Sequence, residues 1–281
     1  MSFATIDTRS SRPRSVRLTR AAFGTALVTA LALVAVGCSD DTSGPGGTGG
    51  GGAGGAGGEG GAGGILGGGT ITIVHLAPGV PSVDDTSATV YVDGRATDTV
   101  ISYGETTGRV EYPSGIYQFG IGTADAQLVE LGSPFVREGD DLLIVAYRND
   151  SLTPPIDSFV YNLVANDLDP ADGRVVLGAG AETLSPVTWL NVNDCPPPLV
   201  QGLPFSESTQ LDLPGMFYNM GMEFGSEFNC FPPELLFNVA PRTGVTTVLV
   251  LVDEDVSGSD PVPQVWLVED AGTPVELIPS R

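Results

Sequence analysis

From Thr70 to Arg281 the chain is a succession of short β-branched and aromatic runs between turn residues, and helical periodicity is almost absent, which confines this part to an all-β fold. The runs are TITIVHL, ATVYVDG, GRVEYPSG, IYQFGIG, DLLIVAY and SFVYNLV, then VTWLNVN, TQLDLPG, TTVLVLV and PQVWLVE. Strands of this length and spacing belong to sandwiches or barrels.

The runs also repeat. Tyr103 to Gly115 (YGETTGRVEYPSG) aligns with Phe205 to Gly215 (FSESTQLDLPG), with two single-residue gaps. Glu138-Gly139 followed by DDLLIVAYRND matches Thr243-Gly244 followed by VTTVLVLVDED, and Phe159 to Leu163 (FVYNL) then falls against Gln264 to Val268 (QVWLV). Two copies offset by about 100 residues predict two tandem β-sandwich domains of immunoglobulin- or transthyretin-like type, spanning 70–168 and 173–281 and joined near NDLDPADG.

Ahead of them the composition changes completely. Gly44 to Gly69 holds 18 glycines in 26 positions and has nothing with which to bury a core. Residues 38–69 are expected to form a disordered tether, with a root-mean-square span of roughly 30 Å as a flexible coil. Residues 1–37 read as a lipoprotein signal peptide. Arg9, Arg12, Arg14, Arg17 and Arg20 form the positive region, Ala21 to Val36 carries no charge, and Ala35-Val36-Gly37 leads into Cys38. The uncharged stretch is shorter than the ~20 residues of a membrane span, so cleavage before Cys38 and its acylation are expected. With Ser39 following the cysteine, the expected location is the cell envelope, at the outer membrane, facing the periplasm or the surface.

Removing residues 1–37 takes away five arginines and Asp7 and moves the formal charge from −22 to −26. Such a field repels phosphate backbones and anionic headgroups, which argues against nucleic-acid partners and leaves the lipid as the link to the membrane. The chain has no lysine, which excludes a P-loop lysine, Schiff-base chemistry and serine-lysine dyads. His75 is the sole histidine, so multi-histidine zinc sites cannot form within one chain. With Cys38 assigned to lipid, Cys195 and Cys230 remain as a pair, expected to form a disulfide in an oxidising compartment.

TITIVHLAPGVPSVD, followed by ATVYVDG, a Tyr-Gly-Glu turn, the YPSGIYQF strand pair and LLIVAY, resembles domain of unknown function 4397, found in tandem in exported bacterial proteins. The resemblance covers essentially 70–270 and is clearer in the first copy. His75, Pro78, Pro81 and Tyr91 keep that family's His-Ala-Ser-Pro-Asp-Ala-Pro frame, whereas Leu76, Gly79 and the inserted DDTSA depart from it. The second copy, VVLGAGAETLSPVTWLNV, has no histidine. The resemblance implies a fold and no reaction.

Candidate chemistry is sparse. His75, at a strand end before a proline turn, is expected to hold that turn through backbone hydrogen bonds, the alternatives being a base or a metal ligand. Acidic clusters at Asp84-Asp85, Asp140-Asp141, Asp167-Asp169-Asp172 and Asp253-Glu254-Asp255 with Asp260 fall at strand ends. Asp253, Asp255 and Asp260 are the candidate calcium ligands, without EF-hand order, and solvated turns account for the same residues. Tyr103, Tyr117, Phe119, Tyr147, Trp189 and Trp266 either line a sugar-binding face or fill the core, and alternation in strands favours the core. No catalytic residue and no cofactor beyond that calcium is expected. The expected function is non-enzymatic binding or adhesion to a glycan, protein or matrix partner. The alternative is an envelope-acting hydrolase using carboxylates or a bound metal.

Overall fold

The computed structural model describes residues 67–164, 166–194, 197–225, 233–254, 262–269 and 272–279, and every strand or helix assigned among them is a strand. In the first repeat, β1 (Gly68–Leu76) and β10 (Asp141–Arg148) run parallel at the centre of a five-stranded sheet. β11 (Ile156–Asn162) lies beside β10, and β4 (Glu105–Thr106) and β5 (Val110–Pro113) lie beside β1. The facing sheet runs in the order β3 (Arg95–Ile101), β2 (Ala88–Val92), β7 (Phe119–Gly122), β8 (Gln127–Gly132). A ribbon of β6 (Gly115–Ile116) and β9 (Phe135–Val136) closes one end.

The second repeat uses the same order. β12 (Asp172–Ala179) and β18 (Thr246–Asp253) form the central parallel pair, β15 (Ser208–Pro214) flanks β12, and β19 (Pro263–Glu269) with β20 (Val275–Leu277) flanks β18. The facing sheet is β14 (Val200–Leu203), β13 (Val187–Asn191), β16 (Tyr218–Phe224), β17 (Leu235–Val239). The fold is all-β and built of sandwiches.

The central pairs explain the packing. Their side chains alternate between two faces, and both faces are apolar. In the first repeat Ile71, Ile73, Leu142, Ile144 and Ala146 pack with Val90, Phe119 and Ile121 inside the sandwich. In the second, Val175, Leu177, Leu249 and Leu251 pack with Trp189, Met220, Met222 and Phe237. The intervening residues, Val74, Leu76, Leu143, Val145 and Tyr147 on one side and Val176, Val248, Val250 and Val252 on the other, form a third core with Phe159 and Trp266. The two sandwiches are therefore fused back to back into four sheet layers, and the 166–173 connection is not their sole link.

Backbone pairing fixes how the copies correspond. The Gly104 amide donates to the His75 carbonyl, and the Ser206 amide donates to the Ala179 carbonyl, so each pair occupies the same place in its repeat. From there Val145 matches Val250, and their partners across the hairpin are Phe159 and Trp266. The sequence alignment of Phe159 with Gln264 is thus corrected by two residues. The connection after β18 is two residues longer than that after β10, and a slip of two keeps every side chain on its face.

Contacts across the third core are reciprocal, as in an isologous dimer. Tyr103 of the first repeat sets its ring edge-on to Trp266 of the second, with centroids 5.6 Å apart, and its hydroxyl donates to Gln264. Phe205, which corresponds to Tyr103, lies edge-on to Tyr147 at 6.1 Å, and Tyr147 stacks on Phe159 at 4.4 Å. Gly104 has a φ of 78°, and a Cβ there would come within 2.9 Å of Trp266. Its counterpart Ser206 keeps a φ of 64° and sends its hydroxyl to Asp157 at 3.0 Å while receiving the Tyr147 hydroxyl. At the other end of the interface Thr246 Oγ1 donates to the Leu163 carbonyl at 2.8 Å. Matching ends meet, so the two central pairs point the same way.

A shared core predicts that the repeats unfold together. Trp266→Ala is expected to cost about 3–5 kcal/mol. In urea unfolding followed by near- and far-ultraviolet dichroism, one coincident transition should move as a whole. Two separated transitions would show that the repeats are energetically independent.

Candidate functional site

His75 ends β1 with its side chain fully buried. The Ala77 amide donates to Nδ1 at 3.3 Å, so the ring proton sits on Nε2, which faces the Val80 carbonyl at 3.0 Å and the Thr86 carbonyl at 3.1 Å. Three backbone groups of one loop are thereby satisfied by a single neutral ring. Burial lowers the His75 pKa, against the opposing effect of the two carbonyls. This geometry matches the structural role expected of His75, and both nitrogens are committed to it.

β1 has Gly68 at one end and His75-Leu76 at the other, about 27 Å away at the usual rise per residue. At the Gly68 end, a cavity of about 760 Å³ is walled by Gly67 to Thr70, Tyr112, Pro113, Asp140 and an Arg109–Asp141 ion pair of 2.6 Å. The chain preceding Gly67 enters here. At the opposite end, the seam between the repeats holds a cavity of about 140 Å³ lined by Arg148, Asp150, Gly180 to Thr183 and Asp253. Arg148 bridges the Pro78 carbonyl and Asp150, and Ser151 donates to Glu182 across the seam. Arg148, Glu182 and Thr183 had no motif in the sequence to mark them. They meet because β10, β12 and β18 end side by side.

Asp253, the described member of the expected calcium set, is 9% exposed. One of its oxygens accepts from Thr183 Oγ1 and the other from the Val262 amide at 2.8 Å, so it fastens the loop after β18. Asp255 and Asp260 lie outside the described residues, as do Cys38, Cys195 and Cys230. Among the described residues no three acidic, histidine or cysteine side chains converge as metal ligands. Beside the cysteines, Val192 and Pro233 both stand over Gly221, at 3.0 and 2.9 Å from where its Cβ would be. Val192 and Pro233, each three residues from a cysteine, thus lie on the same outer face of β16.

Asp157 anchors the polar side of the seam. Partial burial pushes its pKa upward, but the Ser158 amide, the Asn149 amide and the Ser206 and Tyr147 hydroxyls outweigh this and hold it below the usual carboxylate range. Burial pushes the Tyr147 phenol up. The Tyr147–Ser206–Asp157 contacts tie the two repeats together. Among the candidate aromatics, Phe119, Tyr147, Trp189 and Trp266 are buried, and Tyr103 and Tyr117 half-buried, so core packing takes four of the six outright.

No family model and no curated protein matches the chain. Among solved structures it is similar to the Bacillus anthracis TIE protein, 11% identical over 66% of this chain and 33% of that one, with a TM-score of 0.21. The chain spans about a third of that protein's length, and a similarity of this degree carries no argument about fold or function.

The buried histidine predicts a pH signature. Its folded pKa lies below the ~6.5 of the unfolded chain, so its full contribution is present above that value. As pH falls from 6.5 toward the folded pKa the unfolded state binds the proton first, and stability drops by up to about 1.4 kcal/mol per pH unit. Thermal melts between pH 7 and 5 should show this decline, and His75→Gln should flatten it in that window while lowering the melting temperature at pH 7.

Proposed function

We propose that the chain is a lipid-anchored protein of the bacterial cell envelope that works by binding, and that its tandem sandwiches belong with the 4397 domains they resemble. Cys38 carries the lipid, the glycine tether spans to the body, and the fused repeats meet a glycan, protein or matrix partner without catalysing a reaction. The observation that carries this reading is polarity along the strand axis. The tether root at Gly67 and the acidic loops at the seam lie at opposite ends of β1. A body anchored at one end offers the other outward. The exposed Asp84, Asp85, Asp150 and Glu182 at that end favour a neutral or cationic ligand.

Mass spectrometry of the mature protein is expected to find diacylated Cys38 as its first residue, and Cys38→Ala to release the protein or stall its processing. An unmodified Cys38 in a mature chain cut elsewhere would sink the anchor. Non-reducing peptide maps should recover Cys195 joined to Cys230, since their flanking residues converge over Gly221. For function, the mature protein should bind members of an envelope-polysaccharide and surface-protein panel without turning over ester or glycoside substrates. Turnover abolished by one Asp or Glu substitution would replace the binding reading with a carboxylate hydrolase.

A further inference from the structure

We propose that the tether end of the body is a bilayer-docking surface, on which Ile116 and Phe135 of the first repeat and Met216 and Phe217 of the second enter the headgroup interface of a zwitterionic membrane. This rests on the lipid-anchor reading. In each repeat the strand leading to Pro113 or Pro214 turns through Gly115 or Gly215 and places apolar side chains at the tip. Ile116 is 69% exposed, Met216 57% and Phe217 65%, and Phe135, paired across the ribbon from Ile116, is 52% exposed. Two of these are phenylalanines, and the tether end carries both of the strongly exposed aromatic side chains among the described residues.

Three observations connect this end to a membrane. First, the chain leaves from within it: Ser114 Oγ donates to the Gly67 carbonyl, the Gly139 amide donates to the Gly68 carbonyl, and Gly68 pairs with Pro113. Second, the central strands of both repeats point the same way, so the Met216-Phe217 tip faces the same side as the Ile116-Phe135 ribbon. Third, the first repeat places an arginine beside its tip. The Arg137 guanidinium lies 5.6 Å from the Phe135 ring centre. Aromatic bodies with cationic neighbours suit the interfacial layer, where rings sit among headgroups and guanidinium groups reach phosphate. Glu111, Glu138 and Asp140 at the same end select against anionic lipid, which makes the surface one for zwitterionic headgroups. A tether with a root-mean-square span of roughly 30 Å holds the body at high local concentration over the bilayer, so shallow insertion of four side chains is sufficient.

The test uses the full mature protein in phosphatidylcholine–phosphatidylethanolamine vesicles containing a photoactivatable lipid, with Cys38 acylation followed separately by mass spectrometry. Cross-links are expected in 113–118, 134–138 and 214–218 and not in 80–87 or 149–155. The combined variant Ile116→Ser, Phe135→Ser, Met216→Ser, Phe217→Ser should lose them about fivefold or more while remaining acylated and folded. In parallel, Cys38→Ser protein is floated at high lipid concentration, where weak binding should fall by a similar factor in the four-residue variant and in phosphatidylglycerol vesicles. Acylated protein that labels evenly or not at all would overturn the docking surface and leave the anchor intact. Absent acylation with retained flotation would overturn the anchor and leave the surface intact. Self-association that the variant abolishes, without lipid labelling, would reassign the patch to a second copy.

Discussion

The fold depends on one constraint: β1 with β10, and β12 with β18, are parallel pairs with apolar residues on both faces, and such pairs cannot be left uncovered. Each repeat covers the inner face with its own four-stranded sheet. The outer face is covered by the other repeat. Neither copy could expose Val74, Leu76, Leu143 and Val145, or Val248, Val250 and Val252, without presenting a large apolar surface to water. Fusion of the repeats follows from the composition of their central strands.

Around that core, polar groups set register. His75 holds the loop from Ala77 to Thr86 through three backbone groups, and the second repeat, lacking a histidine, builds its corresponding segment on Gly180, Ala181 and Thr183 bonded to Asp253. The duplicated turn shows the same divergence. Gly104 lies under Trp266 where no side chain fits, while Ser206 accepts a strained φ and bonds Tyr147 and Asp157. Pseudo-symmetry persists in the backbone, and the side chains at the seam have specialised.

The body is consequently polar from end to end. Gly67, the exposed apolar tips and Arg137 occupy one end, and the loops bearing Asp84, Asp85, Asp150 and Glu182 the other. A body with unlike ends transmits orientation. If one end meets the membrane, the direction in which the acidic loops face is fixed.

The strands TITIVHL, DLLIVAY and TTVLVLV were legible in the sequence because burial on both faces makes a continuous apolar run. β3, β8, β16 and β17 were not singled out, because solvent-facing polar positions, or Gly221 with Met220, Met222, Phe224 and Phe237, which lack β-branching, blur the pattern. The duplication could be read from its Pro-Gly turns, but the matching of Phe159 to Trp266 required hydrogen-bond register, since a loop two residues longer is silent in an alignment. Cys38 and the tether are statements of sequence alone, being local in the chain. The seam cavity, the Asp157 contacts and the apolar tether end were decided by tertiary structure, because each joins residues from both repeats that are many tens of residues apart and meet only when two sheets stack.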